Sequence, residues 1–439
     1  MVAKRSYNKK TIGDHELKPE TLMMSYGYDP QLSEGSVKPP VFLTSTFIFS
    51  SAEEGEEFFN VMSGRKSALD GDIGGLIYSR FNHPNAEIIE DRLALLEGSE
   101  DAAVMSSGMG AISSVLFGLL RPGDVVLHSA PLYGGTETLI RGALAEFGIK
   151  SLSFYDGLDR KAMSKAFEEA KSLGRLAMVF FETPANPTNS LVDFEMIGEL
   201  IDEAEKSTGH RPISVCDNTM LGPIHQRAVP QGIDLATYSL TKYIGGHSDL
   251  VAGAVCGSNE IIKKIKSMRG SFGLNLDPHT CWMISRSLET VSIRMNRAAE
   301  SSQKVAQWLA DNPYHEVKIY HPDFIEDKNY IEVYKRQCSG SGSTFSFVID
   351  DISKEQIFKL INSLSLFKLA VSLGGTESLV CHPASTTHSG VPREFREITG
   401  VKDGLIRLSI GLEHSDDLIA DLNNAFKLTF GACVNSAVA

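Results

Sequence analysis

The sequence predicts an α/β fold whose mostly parallel sheet is covered by helices on both faces. Short apolar segments typical of strands alternate with amphipathic helices between residues 85 and 238, which is the pattern of βαβ units. The chain has 439 residues, 42% of them hydrophobic and 22% charged, an ordinary globular balance. This length favours two domains, since single cores stop growing at about 250–300 residues.

The chain begins with an arm and a loop rather than with a self-contained domain. Residues 1–50 are rich in turns and prolines, and Ser63–Gly75 is rich in glycine, serine and aspartate. We therefore divide the chain into an N-terminal arm and loop (1–77), a large domain (78–274) and a C-terminal domain (275–439). The mixed helix and strand patterns of the last region suit a smaller α+β domain.

The predicted elements follow in a regular order. A helix starts at Asn85 and is closed by Gly98, because glycine is common just past a helix end. Further helices are predicted at Ala111–Leu120, Phe194–Lys206, Asp277–Leu309 (one helix or two) and Asp416–Phe426. Strands are predicted at Ala102–Met105, Val125–His128, Met178–Glu182, Ile213–Asp217, Leu235–Tyr238, Thr344–Ile349 and Leu405–Ser409. We expect a ligand site beyond the carboxyl ends of the parallel strands.

Composition narrows the classes of function. The net charge of −13 argues against nucleic acid or an anionic membrane as the main partner. No stretch reaches the roughly 18 apolar residues of a membrane helix, and no apolar run follows the basic Met1–Lys10 segment as it would in a secretory signal. The six cysteines form no CxxC pair, so we expect free thiols in a reducing compartment. These features indicate a cytoplasmic enzyme.

The stretch Tyr238–His247 carries the clearest chemical signal. Lys242 follows a predicted strand and two hydroxyl residues, Ser239 and Thr241, and two glycines come soon after it. Lysines usually lie on solvated faces, but nothing near Lys242 resembles a charged helix surface. A lysine desolvated in such a place has a lowered pKa and is nucleophilic, as a Schiff base requires.

Asp217 ends the apolar strand Ile213–Asp217. An acid at this position is costly to desolvate unless a cation lies beside it. One interpretation is the N-cap of a following helix, and the other is a carboxylate held against a protonated ring nitrogen. Asp217 precedes Lys242 by about one βαβ step, so the two residues are expected at the same edge of the sheet.

Two glycine-containing turns follow other strands. Ser106–Ala111 lies between a strand and a helix, where backbone amides bind phosphate well. It fits neither G-x-G-x-x-G nor a P-loop, which disfavours a dinucleotide or a nucleoside triphosphate. In Pro131–Thr136, Tyr133 precedes two glycines and can lie flat against a planar ligand, although packing on the rim of the core is the alternative.

The C-terminal region contributes two candidates, Ser372 and Arg407. Arg407 interrupts an apolar strand, and an inward-facing arginine there requires a planar anion. A substrate carboxylate would fit it through two hydrogen bonds. A structural ion pair is the alternative.

Together these motifs resemble the Cys/Met-metabolism family of pyridoxal-phosphate (PLP) enzymes, which includes cystathionine γ-synthase, cystathionine γ-lyase, methionine γ-lyase and O-acetylhomoserine sulfhydrylase. The resemblance runs from Gly27–Pro30 to Asp416–Leu418, most of the chain. It implies the fold-type I architecture: an N-terminal arm, a large domain with a seven-stranded, mostly parallel sheet, and a smaller C-terminal α+β domain. It also implies a homotetramer built from two dimers whose subunits share active sites.

The resemblance further implies a role for each motif. Lys242 would hold PLP as a Schiff base and move protons, and Asp217 would pair with the pyridinium nitrogen. Tyr133 would stack on the ring and act in proton transfer, and Asn186 would lie near the ring hydroxyl. Phosphate contacts would come from Ser239, Thr241, the amides of Gly108 and Met109, and Tyr78 and Arg80 of a neighbouring subunit. The substrate carboxylate would be bound by Ser372 and Arg407.

Two departures from the family pattern bear on the substrate. Val371 stands where members that handle cystathionine often have a glutamate, which favours γ-elimination on a short sulfur amino acid, with methionine the best single hypothesis. Gly135 stands where methionine γ-lyases typically have a cysteine, which weakens that hypothesis. The alternative is γ-replacement on an O-acyl homoserine. A non-catalytic relative is expected to have lost Lys242 or Asp217, and both are present.

Overall fold

A computed structural model of the chain describes residues 8–66 and 75–431. Its strands are β1 (Thr11–Ile12), β2 (His15–Glu16), β3 (Asp101–Met105), β4 (Asp124–Ser129), β5 (Lys150–Phe154), β6 (Arg175–Glu182), β7 (Ile213–Asp217), β8 (Leu235–Ser239), β9 (Gly253–Gly257), β10 (Lys318–Tyr320), β11 (Thr344–Val348), β12 (Lys368–Leu369), β13 (Leu379–Cys381) and β14 (Leu405–Ser409). The predicted loop Ser63–Gly75 lies largely outside the described residues.

The helices alternate with the strands of the large sheet and then cluster in the C-terminal half. They are α1 (Pro19–Leu22), α2 (Ala52–Met62), α3 (Pro84–Glu97), α4 (Gly108–Leu119), α5 (Gly134–Thr138), α6 (Leu144–Glu146), α7 (Arg160–Leu173), α8 (Phe194–Thr208), α9 (Asn259–Phe272), α10 (Pro278–Leu288), α11 (Val291–Asp311), α12 (Lys328–Gln337), α13 (Lys354–Asn362), α14 (Arg393–Ile398) and α15 (Ser415–Phe430).

The large sheet has seven strands in the order β3-β9-β8-β7-β6-β4-β5. Strand β9 is antiparallel to both of its neighbours, and the other strands run parallel to one another. The prediction of a seven-stranded, mostly parallel sheet is confirmed. Two of its strands, β5 and β9, are absent from the elements predicted from the sequence patterns.

Both faces of this sheet are buried, as predicted. Along β6, Val179 and Phe181 belong to one hydrophobic cluster, whereas Met178 and Phe180 belong to a second. All four side chains are fully buried. Because successive side chains of a strand point to opposite faces, the two clusters lie on the two sides of the sheet.

The helix ends show which sequence signals were accurate. Helix α3 is closed by Gly98 in the left-handed conformation, as predicted. Helix α4 starts three residues before the predicted Ala111, because the Ser107 hydroxyl accepts the Gly110 N–H at 2.9 Å and caps it. The early start places the amides of Gly108 and Met109 in the first turn, where no intrahelical acceptor is in reach.

A second, five-stranded sheet lies in the C-terminal region, in the order β10-β11-β14-β13-β12. Helices α13 and α15 pack on it in a separate hydrophobic cluster. The region predicted as one helix or two is two, α10 and α11. Helix α11 links the two cores, since Met295 packs in the large-sheet core and Val305 in the C-terminal one.

The described cysteines match the expectation of free, mostly buried thiols. Cys216, Cys256, Cys281 and Cys381 are buried, Cys338 is partly exposed, and all five are unpaired. The sixth, Cys433, lies outside the described residues. Within residues 8–66 and 75–431, no helix has the length and apolar character to cross a membrane.

Replacing Gly98 by alanine should destabilise the protein more than replacing Gly209. Both glycines close helices at positive φ, 83° and 72°, where a side chain costs about 1 kcal/mol. A Cβ at position 98 would also lie 2.8 Å from the Pro230 ring, while no described atom comes within 4 Å at position 209. Urea unfolding midpoints of the two variants measure the difference, and equal midpoints would contradict it.

Candidate active site

The candidate residues converge at one edge of the large sheet. Strands β6, β7 and β8 run parallel and end at Glu182, Asp217 and Ser239. The register pairs Glu182 directly with Asp217. Parallel strands bring their carboxyl ends to the same edge, and the turns that follow them form the site.

Lys242 lies in the turn after β8 and is partly buried. Its Nζ donates a hydrogen bond to the Ser372 hydroxyl at 2.9 Å. Burial, and to a smaller degree the charge of Arg407, lower the pKa of Lys242 to about 8. The solvated-face alternative therefore does not describe this residue, because an exposed lysine would hold its proton to much higher pH.

Arg407 extends from β14 toward the same place and is only 3% exposed. Its guanidinium donates to the Asn186 side-chain oxygen at 2.9 Å and to the Ser372 carbonyl at 2.7 Å. It forms no salt bridge with any described carboxylate, so the ion-pair alternative is not observed. A buried guanidinium bonded only to neutral oxygens retains its charge for an incoming anion.

Asp217 is buried, and burial raises the pKa of its carboxyl, although two hydrogen bonds oppose that shift. These bonds come from the Thr219 amide at 3.1 Å and the Thr219 hydroxyl at 2.6 Å. Turns rather than a helix follow β7, so the N-cap interpretation is wrong. The Thr219 hydroxyl also accepts the Ser239 N–H at 2.9 Å, which ties Asp217 to the turn that holds Lys242.

Glu182 is a site residue to which sequence reasoning assigned no role. Its carboxylate accepts the Tyr133 N–H at 2.7 Å and the Asn186 N–H at 2.8 Å. Burial and the neighbouring Asp217 raise its pKa. The signal was present, because Glu182 is an acid that ends an apolar strand in the same way as Asp217.

The first turn of α4 and the start of the β8 turn form a narrow cradle. A Cβ built on Gly108 would lie 3.0 Å from the Ser239 Cβ, so only glycine fits there without displacing the neighbour. The Gly108 and Met109 amides open onto the end of the helix, where the helix dipole favours an anion. The Thr241 hydroxyl donates to the Ala252 carbonyl at 3.2 Å and accepts the Ala252 N–H at 3.0 Å.

Tyr133 stands at the rim of the site with 44% of its surface exposed. Its backbone is held by Glu182, whereas its ring is open to solvent. The alternative of a tyrosine packed on the rim of the core is therefore not observed. Gly135 lies close behind the ring, because a Cβ there would be 2.7 Å from Tyr133 Cε1 and 3.2 Å from Met109 Sδ.

Within one chain, Tyr78 and Arg80 contact other residues than those around Lys242. Tyr78 is exposed and forms an isolated bridge with Thr46. Arg80 is also exposed, and its guanidinium donates to the Gly270 carbonyl at 2.6 Å. The structure describes no hydrogen bond from either side chain to the Lys242 group.

Comparison with known proteins identifies the family. The family model of the Cys/Met metabolism PLP-dependent enzymes matches residues 20–427. This chain belongs to that family. It is 38% identical over 410 residues to L-methionine γ-lyase of Pseudomonas putida, covering 93% of this chain and 96% of the relative. It is 33% identical over 417 residues to cystathionine β-lyase of Bacillus subtilis (strain 168), covering 95% and 98%.

Solved structures agree with the fold. A Campylobacter jejuni protein assigned as an O-acetylhomoserine (thiol)-lyase superposes with a TM-score of 0.83 at 28% identity, covering 94% of this chain and 100% of that chain. Its structure contains N′-pyridoxyl-lysine-5′-monophosphate. The fold of this chain is therefore fold-type I, as the resemblance implied.

The described residues fit PLP, the coenzyme of the family. A partly buried lysine of lowered pKa suits an aldehyde. A buried carboxylate without a protein cation beside it, Asp217, suits a protonated ring nitrogen. The Gly108 cradle at the start of α4 suits a phosphate. The lysine, the carboxylate and the cradle thus match the aldehyde, the ring nitrogen and the phosphate of PLP.

The rate at which the apoprotein takes up PLP should rise with pH through an inflection near pH 8. The neutral amine is the nucleophile, and the pKa of Lys242 lies near 8 rather than at 10.5. Absorbance of the bound coenzyme after mixing measures the rate, with N-acetyl-lysine methylamide as the solvent-exposed reference. A rate that keeps rising to pH 10 in parallel with the reference would show that Lys242 is not desolvated.

Proposed function

We propose that this chain is a PLP-dependent carbon–sulfur lyase that converts methionine by γ-elimination to methanethiol, 2-oxobutanoate and ammonia. The observation that carries the choice of substrate is Val371. It is 58% exposed and precedes Ser372, so it presents an apolar, uncharged side chain next to a residue assigned to the substrate carboxylate. A thioether methyl group can lie against it, whereas a distal ammonium would find no partner there. The similarity to methionine γ-lyase of Pseudomonas putida supports this choice.

The substrate carboxylate is assigned to Arg407 and Ser372. The Arg407 guanidinium points to the Ser372 carbonyl, and the Ser372 hydroxyl already contacts Lys242 Nζ. A carboxylate bound by these two residues therefore places its α-carbon next to the lysine. Such positioning before reaction contributes to the rate by removing the entropy cost of alignment.

We assign the proton transfers of the reaction to Lys242 and Tyr133. PLP supplies an electron sink for the charge that develops at the α-carbon. Lys242, with its pKa near 8, can both remove a proton from the α-carbon and return one nearby. The exposure of Tyr133 supports its assignment as the group that protonates the departing sulfur.

We assign the contacts with the ring and the phosphate of PLP to the remaining residues of the site. Asp217 would pair with the ring nitrogen, and Asn186, whose side-chain oxygen accepts a hydrogen bond from Arg407, would lie near the ring hydroxyl. The phosphate is assigned to the Gly108 and Met109 amides and the Ser239 and Thr241 hydroxyls. For Thr241 this requires its hydroxyl to exchange the Ala252 carbonyl for a phosphate oxygen.

A second candidate function is γ-replacement on an O-acyl homoserine. It is favoured by Gly135, which has no side chain of its own to place beside the Tyr133 ring, where methionine γ-lyases typically have a cysteine. The same catalytic residues serve both reactions. The difference lies in whether water or a thiol completes the turnover.

We further propose that two subunits complete each active site. Tyr78 and Arg80 are exposed and unconnected to the Lys242 group in their own chain, which suits residues that reach the phosphate of a neighbour. The arm ahead of them carries four large, highly exposed apolar side chains: Leu32, Val37, Leu43 and Ile48. A second copy of the chain that covers the arm would remove this apolar surface from water. The family pattern extends this dimer to a homotetramer in the cytoplasm.

The purified protein should release methanethiol and 2-oxobutanoate from methionine, and Val371→Glu should shift its preference toward cystathionine. The introduced carboxylate can meet the distal ammonium, an exposed pair that contributes about 1 kcal/mol, or roughly a fivefold change in the ratio of kcat/KM values. Val371→Gln, which has the same length without the charge, is the control.

Three outcomes decide the substrate. Turnover of cystathionine alone by the unmodified protein would contradict the methionine assignment. Product formed only when an O-acyl homoserine and a thiol are both present would establish γ-replacement instead. An equal effect of Val371→Gln and Val371→Glu would show that size, rather than charge, governs this position.

Mixed dimers of Lys242→Ala and Arg80→Ala chains should regain activity that neither variant has alone. Each shared site takes Lys242 from one chain and Arg80 from the other. In a mixed dimer, one site therefore contains both substitutions, and the other site contains neither. Random pairing therefore restores about one quarter of the unmodified activity, because half of the dimers are mixed and each has one intact site. Activity of tagged, co-purified mixtures measures this, and no gain over the separate variants would contradict the shared site.

A further inference from the structure

Glu182 occupies a position from which one side chain can reach two loops of the site. It is the last residue of β6, directly opposite Asp217 in the neighbouring strand. Its side chain is nearly fully buried, with 4% of its surface exposed. Its own N–H donates to the Ser129 hydroxyl at 3.1 Å, at the end of β4, which fixes the base from which the carboxylate extends.

The two carboxylate oxygens bind different segments. One oxygen, Oε2, accepts the N–H of Tyr133 at 2.7 Å, and the other, Oε1, accepts the N–H of Asn186 at 2.8 Å. The two segments are 53 residues apart in the sequence, and Glu182 lies between them. It is therefore a clamp that holds the start of one loop against the start of the other.

The clamp extends to the C-terminal region through Asn186. The Asn186 side-chain oxygen accepts from Arg407, Arg407 donates to the Ser372 carbonyl, and the Ser372 hydroxyl accepts from Lys242. A shift of Asn186 would therefore be transmitted to the groups that face the substrate carboxylate and to the lysine.

An acid at position 182 carries a desolvation cost, so its presence indicates a specific role for the carboxylate. Two buried carboxylates lie side by side at the ends of β6 and β7, and neither forms a salt bridge with the described residues. A glutamine would fit the same space at lower cost, but it has one oxygen and would turn an N–H toward the second donor. Only a carboxylate accepts both amides at once.

We propose that Glu182 is a positioning residue that sets the separation of the Tyr133 and Asn186 segments around the coenzyme ring. This inference rests on the proposed roles of Tyr133 and Asn186 in coenzyme binding. Glu182 does not touch the substrate, and it acts through the two backbone amides that it holds. Loss of one of those hydrogen bonds opens the clamp on one side and loosens the seat of the ring.

The test is Glu182→Gln, with Asp421→Asn as the matched control. Asp421 is also a buried carboxylate whose two oxygens accept backbone amides, those of Ser365, Leu366 and Phe367, but it lies on α15 in the C-terminal region. Both variants replace one acceptor oxygen by an N–H group and should lower the thermal midpoint. The measurements are the dissociation constant of PLP from the apoprotein and the visible circular dichroism of bound PLP, followed by kcat and KM.

We expect Glu182→Gln to weaken PLP binding roughly five- to tenfold, the effect of losing one intramolecular hydrogen bond. It should also change the visible circular dichroism band, because that band reports the tilt of the ring in its asymmetric site, and should lower kcat more than it raises KM. Asp421→Asn should leave the PLP dissociation constant within about twofold, since it touches no coenzyme contact. The two variants together separate positioning from general stability.

Two results would overturn the inference. The first is a Glu182→Gln protein that loses thermal stability as Asp421→Asn does but retains PLP affinity and an unchanged dichroism band. The second applies if Glu182→Gln does not fold: Ser129→Ala, which removes the acceptor of the Glu182 N–H, should then show a smaller change of the same sign, and no change would refute the clamp. An unmodified protein that binds no PLP would instead refute the proposed function, so the two failures are distinguishable.

Discussion

Two carboxylates, Asp217 and Glu182, end neighbouring strands of the large sheet, and both are buried. Burial raises the pKa of each, and the proximity of Asp217 adds to the effect on Glu182. The two carboxylates have different hydrogen-bond partners. Glu182 is satisfied by two backbone amides, whereas Asp217 is bonded to Thr219 and forms no salt bridge with the residues that the structure describes. In the proposed function, the protonated ring nitrogen of PLP would supply a cation beside Asp217 at this edge.

The rest of the site is arranged around that edge by contacts between distant parts of the chain. Lys242 and Ser372 are 130 residues apart in the sequence, but the Lys242 Nζ lies 2.9 Å from the Ser372 hydroxyl. Arg407 comes from the second sheet and reaches Asn186 in the large domain. Because helix α11 packs in both cores, Ser372 and Arg407 of the C-terminal region are held against the turn that carries Lys242.

Much of the fold could be predicted from the sequence, because strands buried on both faces are continuous apolar runs. The two missed strands of the large sheet lack that pattern: β5 is the edge strand Lys150–Phe154 with alternating serines, and β9 is the short Gly253–Gly257 segment bounded by glycines. Lys242 and Asp217 were predicted from local pattern alone. Glu182 was overlooked although it ends an apolar strand as Asp217 does. Its contacts with Tyr133 and Asn186 could not be predicted, because spacing in the sequence does not report them.

Covalent attachment of PLP to Lys242 is the central claim, and reduction of the holoprotein with borohydride tests it most directly. The reduced lysine resists trypsin, so cleavage should yield one peptide of residues 228–263, with both ends set by Arg227 and Lys263 and the pyridoxyl group at Lys242. Mass spectrometry identifies that peptide and its modified residue. A pyridoxyl group on any other lysine, or none on this peptide, would contradict the account.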